Sequence, residues 1–434
     1  MIIVYTNKIS NRLKYACNFI FTEFFGIEFK LTSNPAETNS PSQGIINYST
    51  EKIISSFQVI PSGLLEETEI RKTEFKVKKK NGLPVMFLTD DTNLGFDIFS
   101  FVFFFLSRYE EYMSFTPDKH NRFPATESLA YKHDFLESPV VDEWLIFFET
   151  ELRKKFPDLN FKKRAFTYLS TIDIDNAFAF KGKGFLRFGG AIARSAIKRN
   201  YSDVGQRLKF LSGKVKDPFD HYDFQMKLSK ITGIPLIYFV LYAKKGEFDV
   251  SLSPGTPEFD SLIKKIAEKT TIGIHPSYAS NSDKEIVLNE INDLTFLTQK
   301  KITKSRQHFL KFSFPNTPRL LIDYGITEDY SMGFSTHNGF RAGTSNSFHF
   351  YDLTKEQATK LKLFPFQVMD SVFYDQQKMN VQESWAEIKN ICDVVYKTKG
   401  NFISVWHDRS FDQNLFEGWR ENYVKMNKYC KEIL

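Results

Sequence analysis

From about residue 160 onward, short apolar runs alternate with longer stretches in which apolar positions recur every three or four residues. The short runs are AFTYLSTIDID, PLIYFVLYA, TTIGIHPS, ITKSRQHFL, GITEDYS, FHFYDL, LFPFQVM and NFISVWHD, and each reads as a buried strand. Residues 220–231, 257–269, 282–300 and 381–396 have the amphipathic spacing of helices. Strands alternating with helices predict a parallel sheet or barrel. Residues 1–160 predict a smaller α/β unit, opening with a strand at 2–5, a helix at 12–24 and a strand at 27–31. Turn formers mark a loop at 32–44. LPVMFLTDD reads as a strand ending in Asp90 and Asp91, and IFSFVFFFL as a buried helix continued by SRYEEY. That apolar run is well short of the roughly 20 residues a spanning helix needs.

The same pattern isolates the polar residues that could do chemistry. Side chains two apart on a strand share a face, so Asp173 and Asp175 in TIDID project together where the strand ends. Such a pair either caps the next turn or places a base beside a metal. Parallel barrels gather function at the carboxyl ends of their strands. There this chain also places His275, Arg306 with His308, and His407 with Asp408. The chain has only 8 histidines, and three at predicted strand ends favour the functional alternative. Upstream, Glu110, His120 and Arg122 lie among aromatics and form either a site or a network joining the two units.

Composition changes this picture little. A hydrophobic share of 42% with 25% charged is ordinary for a folded protein, and 46 Phe promise aromatic cores. The charge of +6 is spread along the chain; its densest block, KVKKKNG, reads as a solvated loop, so no nucleic-acid module is indicated. Cys17, Cys392 and Cys430 have neither metal-ligand nor disulfide-framework spacing, which fits reduced thiols. MIIVYTNKISNRLKY lacks the pattern of a signal peptide, so a cytoplasmic location is expected.

Thr171-Ile172-Asp173, His275 in GIHPSYAS, Arg306 with Phe309 in RQHF, and Val405-Trp406-His407 together resemble the motifs of the polysaccharide deacetylase family, the NodB-type carbohydrate esterases of family four. The resemblance covers about residues 164–434 and implies a distorted (β/α) barrel. FFFLSRYEEY, PVVDEW and DYSMGFSTHNGFRAGTSNSFHFYDL extend it to a branch in which a smaller α/β domain, here 1–160 and without assigned chemistry, precedes the barrel. The family implies a metal-dependent hydrolase that removes N-acetyl or similar acyl groups from a sugar or glycan precursor.

It further implies Asp173 as base, Arg306 as its partner and His407 as acid, with Asp408 or another acid tuning His407. Asp175 and His275 match metal ligands. The family's second histidine would fall at Ala279, so His308 is taken as the third ligand, ahead of Asn281, His221 and His337. A divalent ion, Zn²⁺ by expectation, would occupy the site. Phe309, Arg341 and Trp406 are the implied substrate contacts, with the N–H of Phe309 at the oxyanion. Arg341 in GFRAG either borders the pocket or pairs with an acid in a structural turn. A catalytically silent glycan-binding barrel and a hydrolase of another amide bond are the competing readings.

Overall fold

The structure, a computed structural model, describes residues 1–39, 44–71, 75–89, 93–199, 201–281 and 283–434. Asp90, Asp91 and Ser282 lie outside the described residues.

The chain opens with β1 (Ile2–Thr6), β2 (Phe29–Thr32), β3 (Gly44–Tyr48) and β4 (Phe57–Gln58), a parallel sheet in the order β2-β1-β3-β4. β1 and β3 are buried throughout, which is why they read as continuous apolar runs without alternation. The helix expected at 12–24 starts at Asn11 under a Ser10 cap, but widens into π turns from Asn18 to Phe25 and stops at Gly26, where φ is 66°. The lysine block forms a hairpin, not a loop: β5 (Lys78–Lys80) and β6 (Leu83–Val85) flank Asn81-Gly82, both at positive φ. Ile98–Leu106 is the expected helix, buried at every position and capped by Asp97. SRYEEY does not continue it, because Arg108 turns left-handed and a 3₁₀ turn follows at Tyr109–Tyr112.

β7 (Thr167–Ile174), β8 (Leu236–Val240), β9 (Thr271–Ile274), β10 (Lys304–Ser305), β11 (Glu328–Met332), β12 (Phe348–Asp352), β13 (Gln357–Pro365), β14 (Val368–Met369) and β15 (Asn401–His407) form one curled, half-barrel sheet. Its order is β12-β13-β11-β10-β9-β8-β7-β15-β14, parallel except for the β12–β13 pair. LFPFQVM is therefore two strand ends, not one strand. Only Phe366 and Gln367 separate β13 near one edge from β14 at the other, a reach of roughly 10 Å that forces the sheet to curl. Gln367 bridges the gap: its N–H donates to Ile403 O, and its side-chain oxygen accepts the Ile403 N–H.

Helices Tyr222–Thr232, Pro257–Lys269, Lys284–Thr298 and Val381–Thr398 lie close to their expected spans. Helices Val140–Lys155, Asn316–Asp323, Trp419–Ile433 and the pair Phe185–Ile197 and Tyr201–Leu211 inserted after β7 were not among the expected spans. One apolar core runs from Ile2 to Cys430, and a smaller one inside the curl holds Ile237, Phe239, Tyr330, Phe366, Ile403 and Val405.

Polar contacts join the leading residues to the curled sheet. Arg12 pairs with Glu356, and the Tyr15 hydroxyl donates to His349 O at 2.6 Å. Asp142 accepts from Ser345 N–H at 2.9 Å. GFRAG is part of this joint. A Cβ at Gly339, where φ is 120°, would stand 2.4 Å from Leu136 O, and the next N–H, that of Phe340, donates to that same oxygen.

Candidate metal centre and active site

The mouth of the curl collects its polar residues from the carboxyl ends of β7, β9, β10, β14 and β15. In the β7–β15 register Asp173 lies opposite His407, so both point to the interior. Asp175 follows the end of β7, His275 follows β9, and Arg306 to His308 follow β10.

His275 Nε2 stands 3.3 Å from Asp175 Oδ1 and 3.9 Å from Asp173 Oδ2, and His308 Nε2 is 3.8 Å from Asp175 Oδ1. One ligand atom from each of Asp175, His275 and His308 lies within 4.8 Å of the others. Both histidines are oriented through their other nitrogen. His275 Nδ1 donates to Arg306 O at 2.5 Å, and His308 Nδ1 to Asp249 Oδ1 at 2.8 Å. This arrangement leaves an Nε2 lone pair on each ring facing the same space, as in metal-binding histidines. Asp175 Oδ1 is buried and accepts no hydrogen bond. Two imidazole lone pairs and one orphaned carboxylate oxygen fit a divalent cation, and Zn²⁺ suits an N/O set of this kind.

The electrostatics follow from this crowding. Burial alone would push the Asp175 carboxyl up, but His275, His308 and His407 hold it far below the usual carboxylate range. His275 is pushed down by burial yet raised on balance by Asp173 and Asp175. A cation needs the neutral ring, so metal binding competes with protonation of His275.

Asp173 is buried and accepts from Arg306 Nη1 at 2.8 Å. The same Nη1 reaches Thr171 Oγ1 at 2.7 Å, Nε donates to Tyr330 O, and the guanidinium lies 4.5 Å from the centre of the Phe239 ring. Nη2 has no hydrogen-bond partner. Across the mouth, His407 Nε2 is 3.9 Å from Asp175 Oδ2. Its Nδ1 is 2.6 Å from Asp370 Oδ1, and its N–H donates to Asp370 Oδ2. Burial works against the His407 cation, but Asp370 outweighs it and raises the imidazole to about 10.

The structure also revises several expectations. The acid that holds His407 is Asp370, not Asp408, which accepts the N–H groups of Asn176 and Arg409 and so shapes the turn after β7. Burial and the charge of Asp175 raise Asp408. Trp406 pairs with Ile172 and shares its outward face, so its fully buried ring packs on Trp419 and Tyr423, away from the mouth. Arg341 takes the structural alternative: Nε and Nη2 grip Glu111 at 2.9 and 2.6 Å, and Nη1 donates to Gly333 O. Asn281, whose amide donates to Lys311 O, His221 against Phe411 and His337 beside Thr336 are not in the Asp175 cluster.

Asp249 and Asp370 were missed. Asp370 carries the strand-end signal, directly after VM of β14, whereas Asp249 sits in a loop without periodicity. Asp249 also accepts the N–H groups of Tyr278 and Ala279. Ala279 thus contributes backbone that holds the carboxylate orienting His308.

Residues 2–157 match a family of unknown function, DUF7033. No curated protein matches the chain. Among solved structures, a protein assigned as a polysaccharide deacetylase from Mycobacterium smegmatis is similar at 11% identity, with a TM-score of 0.41, over 62% of this chain and 85% of its own. One assigned likewise from Pseudomonas aeruginosa gives 13% and 0.39, over 61% and 85%. A polysaccharide deacetylase from Bacillus cereus gives 11% and 0.29, over 62% and 88%. Likenesses this distant carry no functional argument, so the site is read from its own geometry. Among the described residues no helix is long and apolar enough to cross a membrane.

Proposed function

We propose that the protein is a metal-dependent hydrolase that removes an N-acetyl or similar acyl group from a sugar or glycan precursor. The observation that carries this reading is the convergence of Asp175, His275 and His308 between a buried Asp173–Arg306 pair and a His407–Asp370 pair. Asp175, His275 and His308 would hold the ion, with Zn²⁺ as the proposed metal. When bound, it supplies a Lewis acid that polarises the acyl carbonyl and acidifies water.

The chain's own residues move the protons. Asp173, oriented by Arg306, takes a proton from the attacking water. His407, whose Nδ1 is anchored on Asp370, carries a proton on Nε2 at neutral pH and gives it to the departing amine. One water is consumed, the C–N bond breaks, and a free amine and a carboxylic acid, acetate for the N-acetyl case, leave. The Phe309 N–H, in the left-handed turn beside His308, is the proposed oxyanion donor. We assign residues 1–160 to a separate leading unit on the basis of its own parallel sheet.

Acetate release from a panel of N-acetylated sugars, measured beside metal content, tests this reading. Asp173→Asn should abolish turnover and keep the metal, whereas His275→Ala should lose it. Full activity in either variant overturns the assignment.

A further inference from the structure

On the His308 side of the mouth lies a rim of partly exposed rings. The Phe309 ring is 4.7 Å from His308 between centroids, and it is surrounded by His120 at 5.1 Å, Tyr278 at 5.4 Å and Phe248 at 5.6 Å. Phe248 and Tyr278 are themselves 4.4 Å apart. All four residues are half-buried, and Lys311 Nζ stands over the Tyr278 ring at 4.1 Å.

The rim is rigidly tied to the metal centre. Phe248 immediately precedes Asp249, the residue that orients His308, and the Tyr278 N–H donates to that same carboxylate. His120 arrives from the leading segment, 158 positions before Tyr278, and its Nδ1 lies 3.2 Å from the Tyr278 hydroxyl. Asp118 shapes the turn that presents it, accepting the N–H groups of His120 and Arg122 at 2.9 and 3.0 Å. Arg122 in turn donates to Phe309 O. Phe309 and Leu310 both hold positive φ, 57° and 51°, a conformation that costs energy for bulky residues and that the Arg122 contact braces.

Neither the metal centre nor the proton-transfer pairs need these contacts. A sugar ring offers an apolar C–H face edged by hydroxyls. Half-open aromatic rings beside an imidazole and a phenol offer the complement.

We propose that His120 from the leading segment, with Phe248, Tyr278 and Phe309, forms a carbohydrate-stacking subsite for the sugar ring next to the one that loses its acyl group. Arg122 is a positioning residue for it. The substrate is then an oligosaccharide or glycan chain and not a free monosaccharide, and the leading segment completes the site. The identity of the cut bond rests on the deacetylase reading; the binding does not.

Calorimetry on the full chain carrying Asp173→Asn, with N-acetylglucosamine and its β-1,4-linked tetramer as probes, separates the two. The tetramer should bind about tenfold tighter than the monosaccharide. His120→Ala and Phe248→Ala, added singly, should each weaken the tetramer roughly five- to tenfold, and His120→Phe should recover most of that loss. Thermal melts check that each variant is folded. Tetramer affinities within twofold of the parent in both alanine variants, equal binding of the two probes, or failure of His120→Phe to recover would each overturn the subsite. Failure of the hydrolase reading is seen elsewhere, in a wild-type protein that releases no acetate.

Discussion

Two buried arginine–carboxylate pairs invite comparison. Arg341 and Glu111 join the GFRAG segment to the leading residues, and Arg306 and Asp173 line the mouth of the curl. By burial the pairs are alike, with every member at most 3% exposed. They differ in unused bonding capacity. Arg341 spends Nε, Nη1 and Nη2 on Glu111 and Gly333 O, and Glu111 also takes Arg108 Nε. Despite burial, which would push it up, Arg341 and Arg108 hold the Glu111 carboxyl below its usual range. Around Arg306, in contrast, Nη2 and Asp175 Oδ1 stay without hydrogen bonds while two histidine lone pairs face inward. A satisfied buried pair holds parts together; a group left with open valence is where a ligand can be bound.

The largest expected effect falls on the open side. Asp173→Asn should lower kcat by about 10²- to 10⁴-fold, the usual weight of a general base, while the amide oxygen keeps a hydrogen bond from Arg306 and the protein stays folded. Arg341→Ala should reverse that signature. It removes two of the three side-chain hydrogen bonds that Glu111 accepts, leaves it Arg108 alone, and should cost about 3–5 kcal/mol in denaturant titrations; a loss under about 1 kcal/mol would end the distinction drawn between the two pairs. His308→Ala should lose the metal by elemental analysis after dialysis. The milder Asp249→Asn, which keeps the ring but weakens its orientation, should reduce metal affinity about 10- to 100-fold.

A smaller effect concerns pH. His407 has a folded pKa of about 10 against an ordinary 6.5, so the stabilisation from its pair with Asp370 is complete below about 6.5 and is lost as pH rises through about 10. Turnover should fall on the same alkaline limb, where the acid deprotonates. Asp370→Asn should move that limb down toward 6.5, and an unmoved limb would remove His407 from the proton-transfer role. Least of all should happen at Lys154→Ala, which breaks an exposed pair with Glu151: a change within about 0.5 kcal/mol is expected.

Legibility in the sequence followed the reach of each signal. The i, i+2 rule brought Asp173 and Asp175 to one face because strand geometry is local. Strand ends marked His275 and His407 for the same reason, and Asp370 shows that signal although it was passed over. The same rule, applied to Trp406, would have put it on the face opposite His407. The helix pair after β7 was missed because Gly189, Gly190 and Gly205 lower helix propensity, although the first helix keeps an amphipathic spacing.

Local pattern by itself determined the alternation of strands and helices, the faces of the strand residues and the set of polar groups at the strand ends, since these depend only on backbone period and side-chain type. Tertiary structure alone decided which groups meet. Asp249 reaches His308 across 59 positions, Asp370 reaches His407 across 37, and Arg341 is taken by Glu111 across 230. No local period encodes such distances. They arise when the sheet curls and the leading segment packs against it, and burial then requires each charge to find a partner or to await a ligand.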